Sequence, residues 1–255
     1  MDFWLEIFLG FIQGITEFLP ISSSGHLFLA EYFFGVESDF TFLNVILHVA
    51  TLLAVLIYYR KTIWYLLTHP FCKTNKLLLI ATIPAIIFVL ILNSFIDTLS
   101  SNVYMVAIGF ILTAVFLTIA TYLSNKNQSP TPINYKHSII MGFSQALAIF
   151  PGLSRSGTTL AFGLMSGTKK EDALDFSFLM SSPIILASLV HQIIFQDFST
   201  SFTDINILGL IIASITAFLC ALLGLILMKK LVKNTNLLIF VPYLIIVGIL
   251  TIIFA

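Results

Sequence analysis

Six stretches of the chain, about 40–59, 77–95, 103–123, 174–195, 206–228 and 237–255, run almost free of charge. Roughly 20 mostly apolar residues is the length an α-helix needs to cross the hydrocarbon of a bilayer. Charge is scarce elsewhere too: Asp, Glu, Lys and Arg make up 9% of the 255 residues, where soluble domains carry about 25%. So few charges do not cover a water-facing surface. The chain therefore reads as an all-α polytopic membrane protein, a single membrane domain over 1–255. The formal net charge is zero, and no basic stretch is dense enough for a nucleic-acid site. Cys72 and Cys220 form neither a disulfide framework nor a metal-ligand spacing. Met1 to Glu6 lacks a basic leader, so no cleaved signal peptide is expected.

Two further apolar regions are interrupted. Region 3–36 is broken at Pro20-Ile21-Ser22-Ser23-Ser24-Gly25, and region 138–168 at Pro151-Gly152-Leu153-Ser154-Arg155-Ser156-Gly157. Loop charges orient the spans, because cytoplasmic loops are enriched in Lys and Arg. Loops 60–76 (Arg60, Lys61, Lys73, Lys76), 124–137 (Lys126, Lys136) and 229–236 (Lys229, Lys230, Lys233) go to the cytoplasm. Loops 96–102, with Asp97, and 196–205, with Asp197 and Asp204, go outside. Both interrupted regions must then enter and leave on one side. They are predicted to be re-entrant helical hairpins beside six transmembrane helices.

The two interrupted regions also match each other at an offset of 132 residues: Gly10 with Gly142, Gln13 with Gln145, Phe18 with Phe150, Ser22 with Ser154, Ser24 with Ser156 and Gly25 with Gly157. The apolar spans keep that offset, and the charge rule gives paired spans opposite directions. The expectation is two inverted-topology repeats, about 1–127 and 133–255. In such folds broken helices place binding sites near the midplane, between the repeats.

The breaks carry the chemistry. Gln13 and Glu17 stand at i and i+4, on one helix face, and Pro20 helps end that helix. The serines that follow free backbone N–H groups and can cap a new helix. Irregular backbone at membrane depth is tolerated only where it lines a wet cavity or is buried in protein. In the second break a helix N-terminus offers an anion site, and Arg155 adds a guanidinium fork suited to phosphate. Glu17 could be a helix-packing acid, but ionisable residues inside a membrane are costly and mark functional sites by default. His26 could equally be a satisfied structural histidine, and most membrane serines bond to their own helix. Asn44, His48 and Thr51 share a face of span 40–59 and read first as packing, with His48 the one able to touch the site. Asp172 and Asp175 read as interfacial. Combined, an acid, a histidine, hydroxyls, an arginine and free amides fit phosphoryl chemistry: charge neutralisation by Arg155, attack by a serine or a water, and proton transfer by Glu17 and His26. Glu17 and Gln13 are few ligands for Mg²⁺ or Ca²⁺, so phosphate oxygens and water would complete the shell.

Gln13-Gly-Ile-Thr-Glu17-Phe-Leu-Pro-Ile-Ser-Ser-Ser-Gly-His26 and Pro151-Gly-Leu-Ser-Arg155-Ser-Gly-Thr-Thr159 resemble the two signatures of the bacterial undecaprenyl-diphosphate phosphatase (bacitracin-resistance protein) family. The resemblance covers essentially the whole chain. It implies hydrolysis of undecaprenyl diphosphate to the monophosphate and inorganic phosphate, recycling the carrier lipid for peptidoglycan and conferring bacitracin resistance. It further implies a divalent cation, Mg²⁺ or Ca²⁺, and a place in the bacterial inner membrane with the active site toward the periplasm. Carried over position by position, it makes Glu17 the essential acid, Ser23 the proposed nucleophile, His26 the catalytic histidine and Arg155 the phosphate-binding arginine. Ser22, Ser24, Ser154, Ser156 and Thr159 fall on supporting substrate-binding positions. Gln13 stands where many members have Glu, which weakens a metal-ligand role there.

The rival reading from another class is a polyprenyl-phosphate transporter or flippase, since inverted repeats with broken helices are transporter architecture. Glu17, Ser23 and His26 discriminate, because moving an anion gains little from an acid. The oligomeric state, a homodimer included, and the choice between Ser23 and a metal-bound water as nucleophile stay open at this level.

Overall fold

The structure is a computed structural model that describes residues 3–35, 41–100, 102–195, 206–234 and 236–255. It is all-helical: α1 (Phe3–Glu17), α2 (Ser23–Phe33), α3 (Thr41–Tyr58), α4 (Arg60–Thr68), α5 (Lys73–Ser100), α6 (Val103–Lys126), α7 (Tyr135–Leu147), α8 (Arg155–Met165), α9 (Lys170–Phe195), α10 (Ile207–Asn234) and α11 (Val241–Phe254), the last preceded by a 3₁₀ turn, Leu237–Phe240. Among the described residues the only β-type contact is an isolated bridge, Thr131 to Thr168.

Among the described residues five helical segments are long and apolar enough to cross a bilayer: Lys73–Leu92, Val103–Lys126, Lys170–Val190, Ile207–Lys233 and Leu237–Phe254. A sixth is completed if α3 and α4, bent by 82° at their junction, count as one. This is the polytopic all-α class expected. The outer loop at 196–205, with Asp197 and Asp204, lies outside the described residues. Two loop expectations are corrected. The stretch 60–76 holds helix α4 rather than a loop. Its Arg60 and Lys61 lead into Trp64 and Leu67, both highly exposed, the mixture that lies along a membrane surface. In addition, α5 continues to Ser100, absorbing most of the expected loop 96–102, because no helix breaker stands there.

α1, α2, α7 and α8 have 15, 11, 13 and 11 residues, all shorter than a bilayer requires. They form two hairpins, α1 on α2 and α7 on α8. Each hairpin is tied to the other half of the chain: α1 packs along α10, and α7 along α5. Small residues allow this approach, as is usual between membrane helices. Gly10 lies against the Ala213 backbone, and Gly142 against that of Ala81. Gly142 stands 132 positions after Gly10, and Ala213 stands 132 after Ala81, so one contact is the counterpart of the other. Helices α2 (Ser23–Phe33) and α8 (Arg155–Met165) begin and end at the same offset. The main core runs between α3, α6, α8, α9, α10 and α11, around Phe18, Phe110, Leu117, Phe178 and Leu225.

Candidate active site

Glu17 is the last residue of α1. The chain turns through Pro20 and restarts as α2, with Ser22 as N-cap: its Oγ accepts from the Gly25 N–H at 3.2 Å. Ser22 has φ of 70°, the one positive φ outside glycine among the described residues, a strained state that functional sites often hold. The second break repeats the device. The Ser154 Oγ accepts from the Gly157 N–H at 3.1 Å, and the Ser154 N–H donates to Thr113 Oγ1 on α6 at 3.0 Å. Gly152, at φ 75°, and Gly109 let the loop's backbone lie directly on α6.

The two breaks meet. The Ser156 hydroxyl donates to the Leu19 carbonyl at 3.0 Å, and Arg155 forms an ion pair with Glu17 Oε1. The other carboxylate oxygen of Glu17 accepts from Gln13 Nε2 at 2.9 Å and from the Ser23 hydroxyl at 2.6 Å. The Glu17 side chain is 2% exposed and that of Arg155 20%. The acid is therefore nearly dry and the arginine side chain as a whole wetter, although its Nη1 is itself buried and has no protein partner.

This network faces a cavity of about 710 Å³. Glu17, Ser22, Ser23, Ser24, Ser154 and Arg155 line its polar side, with Gln145 of α7. Ile86, Val89 and Leu90 of α5 and Ile184, Ile185 and Leu189 of α9 make its apolar wall. A charged headgroup carrying a hydrocarbon chain is the ligand shape that fits both sides.

The predicted residues separate into groups. Glu17, Ser22, Ser23, Ser24, Ser154 and Arg155 share the cavity. Gln13, fully buried, supports Glu17 without lining it. Thr159 bonds to Ser177 at 2.6 Å and to its own helix at the Arg155 carbonyl, 2.8 Å away, outside the cavity. His26 does not line the cavity either. Its Nδ1 meets the Ser22 carbonyl at 2.7 Å and its Nε2 the Tyr243 hydroxyl at 2.6 Å, because its position on α2 turns the ring toward α11, where it stacks on Tyr243. The imidazole that does line the cavity is His48, with Nε2 3.9 Å from Glu17 and Nδ1 2.7 Å from the Asn44 carbonyl. Asn44 and Gln145 also line it, and the sequence reading gave neither a role. The signal for His48 and Asn44 was their i, i+4 spacing on an otherwise apolar helix. Asp175 is engaged elsewhere: both its oxygens lie 3.0 Å from Lys229 Nζ, and one accepts from Tyr59 at 2.6 Å.

Among the described residues no three His, Cys, Asp or Glu cluster as metal ligands, so the protein alone does not build a cation cage. The donors fit a hard cation that shares its shell with a phosphate ligand. Glu17 supplies a carboxylate, while Gln13 Oε1 and Asn44 Oδ1 are buried carbonyl oxygens without partners, the ligand type of Mg²⁺ and Ca²⁺.

Fold and cavity together define an integral membrane protein with an intramembrane polar site for an anionic, lipid-borne group. The family described as bacitracin resistance protein BacA matches residues 6–250; the chain belongs to that family. It is 38% identical over 248 residues to undecaprenyl-diphosphatase 4 of Bacillus cereus, covering 97% of this chain and 95% of that protein. It is 40% identical over 254 residues to the undecaprenyl-diphosphatase of Thermosipho africanus, covering 96% and 97%. The undecaprenyl-diphosphatase of Methanococcus maripaludis is 36% identical over 244 residues, at 93% and 94% coverage.

Proposed function

We propose that this chain hydrolyses undecaprenyl diphosphate to undecaprenyl phosphate and inorganic phosphate, which returns the carrier lipid to peptidoglycan synthesis and underlies resistance to bacitracin. The observation that carries the reading is the Ser23–Glu17–Arg155 network on the polar side of a cavity that also has an apolar wall. A flippase needs the wall and the arginine but has no use for a carboxylate-bound serine.

In this reading the terminal phosphoryl group sits against Arg155, whose free Nη1 donates to it without breaking the Glu17 pair. The first-turn N–H groups of α8 add donors. Glu17 orients the Ser23 hydroxyl for attack on the terminal phosphorus. The bond to the bridging oxygen breaks, and the lipid monophosphate leaves. Phosphoryl transfer passes through a loose transition state, so Glu17 takes the serine proton late and need not be a strong base. His48, 3.9 Å from the same carboxylate, stands on the nucleophile's side and relays that proton from Glu17, while the bridging oxygen, in line on the far side of the phosphorus, departs as part of a phosphate and needs no acid. Water then cleaves the phosphoserine, releasing phosphate and restoring Ser23. His26 acts at one remove: by holding the Ser22 carbonyl it keeps the strained turn, and hence Ser23, in place. A divalent cation, Mg²⁺ or Ca²⁺, would be held by Glu17 with the Asn44 carbonyl oxygen, both lining the cavity, and would neutralise diphosphate charge, with Gln13 supporting Glu17 from behind. Ser154, Ser156 and Thr159 shape the arginine-bearing turn.

The matched offsets and exchanged packing of α1 on α10 and α7 on α5 support one membrane domain built as two inverted repeats, about 1–127 and 133–255. The Lys-rich ends orient it in the inner membrane. On that orientation the cavity residues of α3, α5 and α9 occupy the halves away from the cytoplasm, while the Tyr59–Asp175–Lys229 contacts lie at the cytoplasmic end. This favours a site open toward the periplasm.

The test is phosphate release from farnesyl or undecaprenyl diphosphate by the purified protein in detergent, with and without chelator. Release that needs Mg²⁺ or Ca²⁺, and is lost in Glu17→Ala and Arg155→Ala while folding is retained, is the expected result. No release from folded wild type with either cation would overturn the reading in favour of a flippase, to be measured in vesicles.

A further inference from the structure

Gln145 lines the cavity beside Ser154 and Arg155. It is 2% exposed, yet neither its Nε2 nor its Oε1 has a hydrogen-bond partner. Buried side-chain amides are almost always paired, since leaving one unpaired forfeits its hydration without return. Its counterpart shows what is missing. Gln13, 132 positions earlier, spends its amide on Glu17 one helical turn on. One turn beyond Gln145 the residue is Ile149, which offers nothing. The same residue at the matching place is thus locked in one hairpin and free in the other. A second unpartnered donor, Arg155 Nη1, belongs to the same cavity.

Gln145 lines the polar side of the cavity on a helix that adjoins the apolar wall. α7 packs directly on α5, the helix that contributes Ile86, Val89 and Leu90 to the apolar wall. A prenyl chain on that wall brings the phosphoryl group attached to it toward α7, and leaves the terminal one to Ser23 and Arg155.

Building on the phosphatase reading, we infer that the Gln145 amide donates to the phosphoryl group that stays on the lipid, making it a substrate-binding residue common to diphosphate substrate and monophosphate product. A hydrogen bond from a neutral amide to a phosphate is of the charge-assisted kind. Its loss should weaken binding about ten- to hundredfold.

The experiment uses the full-length protein in detergent with Gln145→Ala and Gln145→Leu, the latter keeping the volume without the donor. Removing an unpaired amide should leave the unfolding temperature unchanged or raised. Two quantities are read: steady-state hydrolysis of farnesyl diphosphate, and direct binding of farnesyl monophosphate by titration calorimetry. The expected result is a KM raised about tenfold or more with kcat within about threefold, and monophosphate affinity lowered by a similar factor, in both variants. Equal monophosphate affinity in wild type and variants, or a loss confined to kcat, would overturn the inference. The binding arm does not depend on turnover. A wild type that binds the monophosphate through Gln145 but releases no phosphate would sink the phosphatase reading and leave this contact standing.

Discussion

The Glu17–Arg155 pair joins the two halves of the chain across 138 residues, and its removal can be worked through quantitatively. Glu17→Ala takes away the partner of a guanidinium that is only 20% exposed, and strips Gln13 and Ser23 of their acceptor. Breaking a buried pair from one side costs about 3–5 kcal/mol, because an uncompensated charge remains. The cavity hydrates part of Arg155, so the lower half of that range is expected. Arg155→Ala leaves a carboxylate with two neutral donors and 2% exposure, and should cost as much or more. The double variant removes both charges and should be more stable than the sum of the singles implies, with a coupling energy of about 2–3 kcal/mol. The assay is reversible unfolding in mixed micelles, run as a double-mutant cycle beside phosphate release. Stability should return in part in the double variant while activity stays absent. A coupling energy below about 0.5 kcal/mol, the level of independent sites, would refute the argument that this pair holds the hairpins together.

Other outcomes follow from the same geometry. Ser23→Ala should lower phosphate release by about 10⁴ or more with stability and lipid-diphosphate binding retained, and no phosphorylated serine should be trapped by acid quenching. His48→Ala should reduce kcat by about 10²–10⁴, the range of a lost proton-transfer group, with KM little changed; an effect no larger than that of an exposed surface histidine would exclude it from proton transfer. Gly142→Ala places a Cβ 2.8 Å from the Ala81 carbonyl oxygen, and overpacking of this kind costs about 1–3 kcal/mol. Gly10→Ala, meeting Ala213 in the counterpart contact, should cost a similar amount, and a neutral result for both in unfolding measurements would contradict the close approach.

Much of this architecture was legible because charge-free runs of twenty residues have one solvent that suits them, and because a proline and three serines inside such a run have few uses. Glu17 and Arg155 stood out because ionisable residues are costly at membrane depth, whereas Ser22, Ser23 and Ser24 stood out only as a group, and Ser23 among them only through the family resemblance. Three things were not readable. α4 was hidden because its mixture of Arg60, Lys61, Trp64 and Leu67 averages to the hydropathy of a loop. His26 and His48 were assigned by neighbourhood in sequence, yet which imidazole meets the cavity depends on how α2 is rotated against α11 and how α3 lies against α1. Gln145 looked like the echo of Gln13, and its freedom follows only from the absence of a carboxylate one turn on.

Because α1 rests on α10, which is made far later in the chain, assembly of this protein cannot keep pace with its synthesis. The first hairpin emerges bearing a carboxylate, three serines and a bent backbone, and the surface that covers it is made some two hundred residues later, where Ala213 meets Gly10. Until then the hairpin has no permanent place to lie, and must wait at the membrane surface or beside the insertion machinery. A chain released before α10 would be left with the Gly10 face of α1 uncovered, a mark by which quality control could recognise an unfinished molecule.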